Sequence, residues 1–346
     1  MKTFEYVDLR SDTVTLPTRE MREFMMNAPV GDDVMQEDPS INKLEAYVAQ
    51  ICDRQAALFV PSGTMANQIA VKVYGGPGTE ILVVDQSHIF FYEVGSAAGL
   101  SGVQLHPIPS KDGIFDGKEF EARIRPPDPH FPKTVAFWIE NTHNRGGGKI
   151  IPYQLMQELK EIADKNCIPV HMDGARICNA SVATGIPLKK WARLIDSFSI
   201  CFSKGLGAPV GSILVGDVEF IARCRVARKA LGGGMRQAGF LAAAAMFSMK
   251  HQFKRLAYDH QRARKLASEL TKLPGVHIEN MPDTNIVMID IDQETSLTGV
   301  SMVKKLAEEG VKLFDIAPMR LRAVTNIGVD DEQIEQAINA FRKILK

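Results

Sequence analysis

The chain has no excess of charge of either sign: 41 Lys and Arg stand against 41 Asp and Glu, a formal net charge of zero over 346 residues. A nucleic-acid binder would carry a basic surplus, so that class is set aside. Long apolar runs are also lacking. The longest, residues 238–249, is interrupted by Ser248 and is too short to cross a bilayer, and the leading MKTFEYVDLRSD has acids where a signal peptide would have an apolar core. A cytoplasmic protein with no membrane partner is expected. Cysteine is sparse, five residues scattered without a CxxC pair, which suggests neither a disulfide framework nor a zinc site. With no HExxH and no histidine pair at i, i+4, no metal is expected. GxxxxGK[ST] is missing, which excludes a P-loop. The glycines from Lys204 to Gly211 miss GxGxxG by one residue, and Pro209 would break the helix that a dinucleotide fingerprint must open. Repeats and low-complexity tracts are absent, and 45% hydrophobic with 24% charged residues is globular usage, not disorder.

What is present is an alternation. Short apolar runs at 57–60, 81–84, 135–139, 168–172, 198–202 and 212–215 predict buried strands, and helical patterns lie between them at 41–53, 65–73, 153–165 and 189–195. Such alternation builds a layered α/β sheet with helices on both faces and ligands at the carboxyl ends of the strands. Helical spacing continues through 236–271. From about 275 the pattern changes to strands at 276–278, 286–291, 311–314 and 321–324 around helices at 301–309 and 331–345. We therefore expect an N-terminal segment and large domain over 1–250 and a small α+β domain over 251–346.

Three strand ends carry chemistry. Pro61-Ser62-Gly63-Thr64-Met65-Ala66-Asn67-Gln68 follows a strand and opens a helix, where free backbone N–H groups and two small hydroxyls would cradle a phosphate. The plain reading is an N-cap that merely starts the helix. His171-Met172-Asp173-Gly174-Ala175-Arg176 ends another strand with an acid and a guanidinium, and Phe202-Ser203-Lys204-Gly205 ends a third with a lysine that, alone, would be a solvated loop residue. Together they are what pyridoxal phosphate needs: an anion cradle, an amine for its aldehyde and a carboxylate for its ring nitrogen. His88 follows the strand at 81–84 and can stack on a cofactor ring. His143 begins the loop after 135–139, and either histidine can instead be a structural loop residue.

These residues show a family. Asp8-Leu9-Arg10-Ser11-Asp12-Thr13-Val14-Thr15, Val30-Gly31-Asp32-Asp33-Val34, Glu37-Asp38-Pro39, the run from Pro61 to Gln68, Glu140 to Asn144, Asp173-Gly174-Ala175-Arg176, Phe202 to Gly207, Leu231 to Gly239 and Arg322-Ala323-Val324-Thr325 stand in order along the chain. The sequence resembles low-specificity L-threonine aldolases nearly end to end. The resemblance implies a pyridoxal-phosphate-dependent transferase-like large domain of fold type I, with a mainly parallel central sheet. It implies cleavage of L-threonine, L-allo-threonine and related β-hydroxy-α-amino acids to glycine and an aldehyde. By it, Lys204 captures the cofactor aldehyde, Asp173 pairs with the ring nitrogen, His88 stacks on the ring, and Ser62, Gly63 and Thr64 hold the phosphate. Ser11, Arg176 and Arg322 grip the substrate carboxylate, with Arg176 also in the cofactor set. His143 reaches the substrate hydroxyl, the base there being His143 or His88, directly or through water, and Arg236 sits in a subunit-interface loop near a neighbouring phosphate. A homo-oligomer, a dimer of dimers, is implied.

Two positions depart from the family pattern. Met35-Gln36 replace Tyr-Gly before Glu37-Asp38-Pro39, and Asn326 replaces a His. Neither touches the cofactor set, but the first removes an aromatic hydroxyl expected near the substrate's β-substituent. Aminotransfer or β-elimination on the same fold is the alternative reaction. A non-catalytic binding protein would need neither the lysine nor the ring-pairing acid.

Overall fold

The computed structural model describes residues 6–345; the first five residues, part of the leading segment considered above, lie outside them. The large sheet is formed by β1 (Ala56–Val60), β2 (Thr79–Val84), β3 (Gln104–Ile108), β4 (Lys133–Glu140), β5 (Val170–Gly174), β6 (Ser197–Cys201) and β7 (Ser212–Gly216). Their order is β1-β7-β6-β5-β4-β2-β3. From β6 to β3 all pairings are parallel; β7 runs antiparallel to both β6 and β1.

Both faces of this sheet are dry, which is why its strands read as unbroken apolar runs. Successive side chains point to opposite faces. Leu82, Val84, Phe137, Ile139, Val170, Met172, Phe198 and Ile200 pack into one core cluster, and Ile81, Val83, Ala136 and Trp138 into another, shared with helix Gly63–Tyr74. The same alternation turns His171 and Asp173 away from Val170 and Met172. The six strands expected in this region are present with ends shifted by one or two residues. β3 escaped the pattern because His106 and Pro107 interrupt it. Pro107 cannot donate to a ladder, and β3 is an edge strand, where that is tolerated.

A second, antiparallel sheet comprises β8 (Val276–His277), β9 (Ile286–Ile291), β10 (Phe314–Ala317) and β11 (Arg320–Val324), in the order β10-β11-β9-β8. The run expected at 311–314 is divided: Val311–Lys312 leaves this sheet to pair with Val7–Asp8, and Phe314 begins β10. Val7 and Leu9 thus pack in the small sheet's own core with Leu306, Val311 and Phe341, although sequence order grouped them with the large domain. The continuous helical spacing over 236–271 resolves into Gly239–Phe247, a π-helical turn Ser248–Gln252 and Leu256–Leu270.

Candidate active site

At the carboxyl ends of the parallel strands lies a cavity of about 240 Å³. Three parts of the fold meet there: the strand ends of the large sheet, the segment after Asp8, and Arg322 of β11.

β1 delivers the chain into helix Gly63–Tyr74. Ser62 caps it, accepting from Met65 N at 3.1 Å with its hydroxyl and from Ala66 N at 3.0 Å with its carbonyl. Gly63 and Thr64 remain on the cavity wall with first-turn N–H groups that no backbone partner takes, the positive end of the helix dipole. The Ser62 side chain itself does not line the wall. Asn67 does, one turn after Thr64 on the same helix face.

Asp173 of β5 is buried. Its Oδ2 accepts from Asn67 Nδ2 at 2.8 Å and its Oδ1 from Ala175 N at 3.0 Å. Burial alone would raise this carboxyl, but the Lys204 and His88 charges and the two hydrogen bonds outweigh it and hold it below the usual range, ionised at neutral pH. Lys204, three residues past β6, faces the same cavity, and among the described residues its ammonium makes no hydrogen bond or ion pair.

His88 also lines the wall. Its backbone N–H donates to Glu140 Oε2 at 2.6 Å, and Asn144 N donates to Glu140 Oε1 at 2.8 Å, so one buried carboxylate at the end of β4 ties both loops down. The His88 Nδ1 meets Glu93 Oε1 at 2.8 Å. Burial pulls the imidazole pKa down, but the Glu93 hydrogen bond and the charges of Asp173 and Glu93 raise it above its ordinary value.

The residues expected to grip a carboxylate are not alike. Arg176 is buried and forked onto Asp12, Nε to Oδ2 at 2.8 Å and an Nη to Oδ1 at 2.7 Å. Arg322 has no acidic partner among the described residues. It touches Asn144 Oδ1 at 3.2 Å and Arg10 O at 3.4 Å, and its buried Nε is unmatched. Burial and the neighbouring Arg176 charge lower its pKa. Ser11 lines the wall between them, its hydroxyl accepting from Thr13 Oγ1 at 2.8 Å. A second hollow shares His88, Asn144 and Arg322 with the first and continues to Tyr92, Phe314 and Ile316.

Besides Ser62, two expected residues lie off the wall. His143 is off the wall, flanked in sequence by Thr142 and Asn144, which are on it. Its Nδ1 accepts from Gly146 N at 3.0 Å and its N–H donates to Lys149 O at 2.9 Å. Gly113, at φ +82°, lies so close that a Cβ there would come within 2.2 Å of the His143 ring. With Nδ1 the imidazole thus closes its own loop, while its buried Nε2 has no partner among the described residues. Arg236 is half exposed and pairs with Asp32 Oδ2 at 2.8 Å, away from this chain's cavity. Met35 is exposed in the same turn as Asp32. Asn326 is buried away from the cavity, fastening Asp8 O and Gly328 N.

The geometry can be set beside known proteins. The family model described as beta-eliminating lyase matches residues 8–294. A probable low-specificity L-threonine aldolase 2 of Arabidopsis thaliana is 42% identical over 99% of this chain and 98% of its own. The chain belongs to the beta-eliminating lyase family, among its low-specificity L-threonine aldolases. The low specificity L-threonine aldolase of Escherichia coli K12 is 40% identical over 98% of this chain and 99% of its own. The Leishmania major threonine aldolase structure superposes with a TM-score of 0.86 over 98% of this chain and 99% of that one, at 18% identity, a likeness of fold. On and behind the cavity wall the sequence reading gave no role to Asp12, Asn67, Glu93 and Glu140. Asn67 had a readable signal, its helical spacing from Thr64; Glu93 had none, since it lies five residues from His88, past the end of the short helix His88–Phe91.

Proposed function

We propose that this protein cleaves L-threonine, L-allo-threonine and related β-hydroxy-α-amino acids to glycine and an aldehyde, with pyridoxal phosphate as cofactor. The observation that carries the reading is the sharing of one cavity by the unpartnered Lys204 ammonium, the ionised Asp173, an open helix N-terminus and an arginine without an acid. The donor set fits the cofactor. Gly63 and Thr64 would hold its phosphate, with Ser62 fixing the helix turn that presents them; Lys204 would take its aldehyde, and Asp173 its ring nitrogen.

Bound there, pyridoxal phosphate supplies an electron sink for a bond broken at Cα. The chain's own residues decide which bond that is. Arg322, aided by Arg176 and Ser11, would fix the substrate carboxylate and so select which Cα bond is broken. His88, with Nδ1 turned to Glu93, would leave Nε2 to take the proton of the β-hydroxyl. Asp173, ionised, would hold the cofactor's ring nitrogen in its protonated form.

The second reading, β-elimination, is favoured by the description of the matching family as beta-eliminating lyases. Glycine and acetaldehyde from L-threonine and L-allo-threonine support cleavage; a 2-oxo acid with ammonia in their place would overturn it. We further infer a homo-oligomer, a dimer of dimers, in which Arg236 serves a neighbouring cavity, and a cytoplasmic setting. Four of the five cysteines are thiols buried in the core, which suits a reducing compartment. No helix among the described residues is long and apolar enough to cross a membrane.

A further inference from the structure

Behind the cavity wall lies a polar cluster that the proposed reaction does not use directly. The Glu93 side chain is fully buried. One of its oxygens receives both His88 Nδ1 at 2.8 Å and Asn67 Nδ2 at 2.7 Å, and the other receives Gln68 Nε2 at 2.6 Å. The same Asn67 nitrogen donates to Asp173 at 2.8 Å. An amide standing between two carboxylates must turn its NH2 to them, since its oxygen would face acceptors on both sides. That orientation leaves Asn67 Oδ1 and Gln68 Oε1 buried with no partner. Each such orphan costs about 1–3 kcal/mol, so the cluster is poorly arranged for stability alone. What it does achieve is a carboxylate aimed at one nitrogen of one cavity histidine.

We propose that Glu93 is the positioning residue of His88, fixing its Nδ1–H tautomer and raising the basicity of Nε2, and that Asn67 links Glu93 to Asp173 so that both carboxylates keep their places. The proposal deepens the aldolase reading and rests on it for the identity of the proton that His88 takes. The chemistry follows the rule that a carboxylate on one imidazole nitrogen orients the ring and strengthens the other as a base. His88, Glu93 and Asp173 also place ligand atoms close enough together for a cation. The Asn67 NH2 already occupies the approach to both carboxylates, and the facing Lys204 charge adds repulsion.

Besides Glu93, the charged and titratable groups around His88 are Tyr92 on its own segment, Glu140 at its backbone, Asp173 on β5, Lys204 after β6 and Arg322 on β11. Glu93→Gln removes a charge and keeps the shape. It should lower kcat/KM for L-threonine by about tenfold or more, and move the acid limb of its pH profile down by about one unit as His88 loses its partner. KM should stay within about twofold, because Arg322 and Arg176 are untouched. Glu93→Asp, which keeps the charge, should hold the limb in place if Glu93→Gln folds poorly.

The decisive arm is a double-mutant cycle on the holoenzyme. In a His88→Asn background, Glu93→Gln should change kcat/KM by less than about twofold. An equal loss in both backgrounds, or an unmoved limb, overturns the proposal. A parallel titration of apoprotein with pyridoxal phosphate, read from the visible band and its pH dependence, needs no turnover. It should show a Glu93→Gln shift that vanishes in His88→Asn, so failure of the aldolase reading would show in product analysis and failure of this one in the spectra.

Discussion

Asp12→Asn tests how the carboxylate grip is built. Asp12 is fully buried, and both of its oxygens face the Arg176 fork at 2.7 and 2.8 Å while Asn285 Nδ2 donates to Oδ2 at 3.3 Å. An asparagine can accept one of these bonds, but its NH2 then meets donors, and Arg176 is left as a buried charge without a counter-ion. Breaking one partner of a buried pair costs about 3–5 kcal/mol. With one acceptor retained we expect about 3 kcal/mol, read as a lowered urea midpoint at unchanged m-value. The pH dependence follows from the sign of the shift. Burial would raise the Asp12 carboxyl, but the Arg176 and Lys204 charges and the hydrogen bonds from Arg176 and Asn285 hold it below its unfolded value. Its stabilisation is thus present above the ordinary carboxylate pKa and lost as pH falls through the folded one, and Asp12→Asn should flatten that acid limb. If the cause is the stranded guanidinium, Arg176→Met added to Asp12→Asn should recover part of the loss. A single variant within about 0.5 kcal/mol of wild type, or strictly additive losses in the double variant, would refute the reasoning.

Three further outcomes are expected. Borohydride reduction of the holoenzyme should place a pyridoxyl group on Lys204 alone, and Lys204→Ala should abolish turnover; label on another lysine would remove that assignment. Asp173→Asn should keep the fold yet lose about 100-fold or more in kcat, because an amide cannot hold the ring nitrogen protonated; near wild-type kcat would exclude Asp173 as the ring partner. Arg322→Lys should raise KM for L-threonine about tenfold with a smaller effect on kcat, since an ammonium lacks the planar fork, and an unchanged KM would place the substrate carboxylate elsewhere.

The sheet was legible because its interior strands are buried on both faces and carry no competing signal; β3 was not, because an edge strand tolerates the proline and histidine that hide it. In the site, residues directly after a strand were readable: Lys204, Asp173, His88 and the helix opened by Gly63 all reach the wall. Partners held across the fold were not. Asp12 lies 164 positions from Arg176, and Glu93 meets Asn67 across 26. Nothing in a linear pattern marks such pairs, because separate elements bring them together: Asn67 on the helix after β1 and Glu93 beyond β2, Asp12 after the Val7–Asp8 strand and Arg176 after β5. His143 was harder to place: it stands between two wall residues, Thr142 and Asn144, but a strand-end position alone does not give the direction of a loop side chain.

Arg236 and Met35 pose one question together. Neither lines this chain's cavity, yet Arg236 is held by Asp32 in the turn that exposes Met35, so a second copy bringing one to its neighbour's cavity brings the other. Subunit complementation separates this from a purely local role. Lys204→Ala and Arg236→Ala chains should each be nearly inactive alone. Co-expressed, they should form mixed pairs in which one cavity has both an intact lysine and an intact arginine, restoring about a quarter of the wild-type sites if mixing is random and the interface is two-fold. In that arrangement Met35→Tyr should alter the ratio of kcat/KM between L-phenylserine and L-threonine, by about 10–200-fold at most, the range one pocket contact commands. A fully active Arg236→Ala homo-oligomer, or co-expressed chains no more active than either parent, would return both residues to the surface of a single chain and leave the substrate's β-group to Tyr92, Phe314 and Ile316.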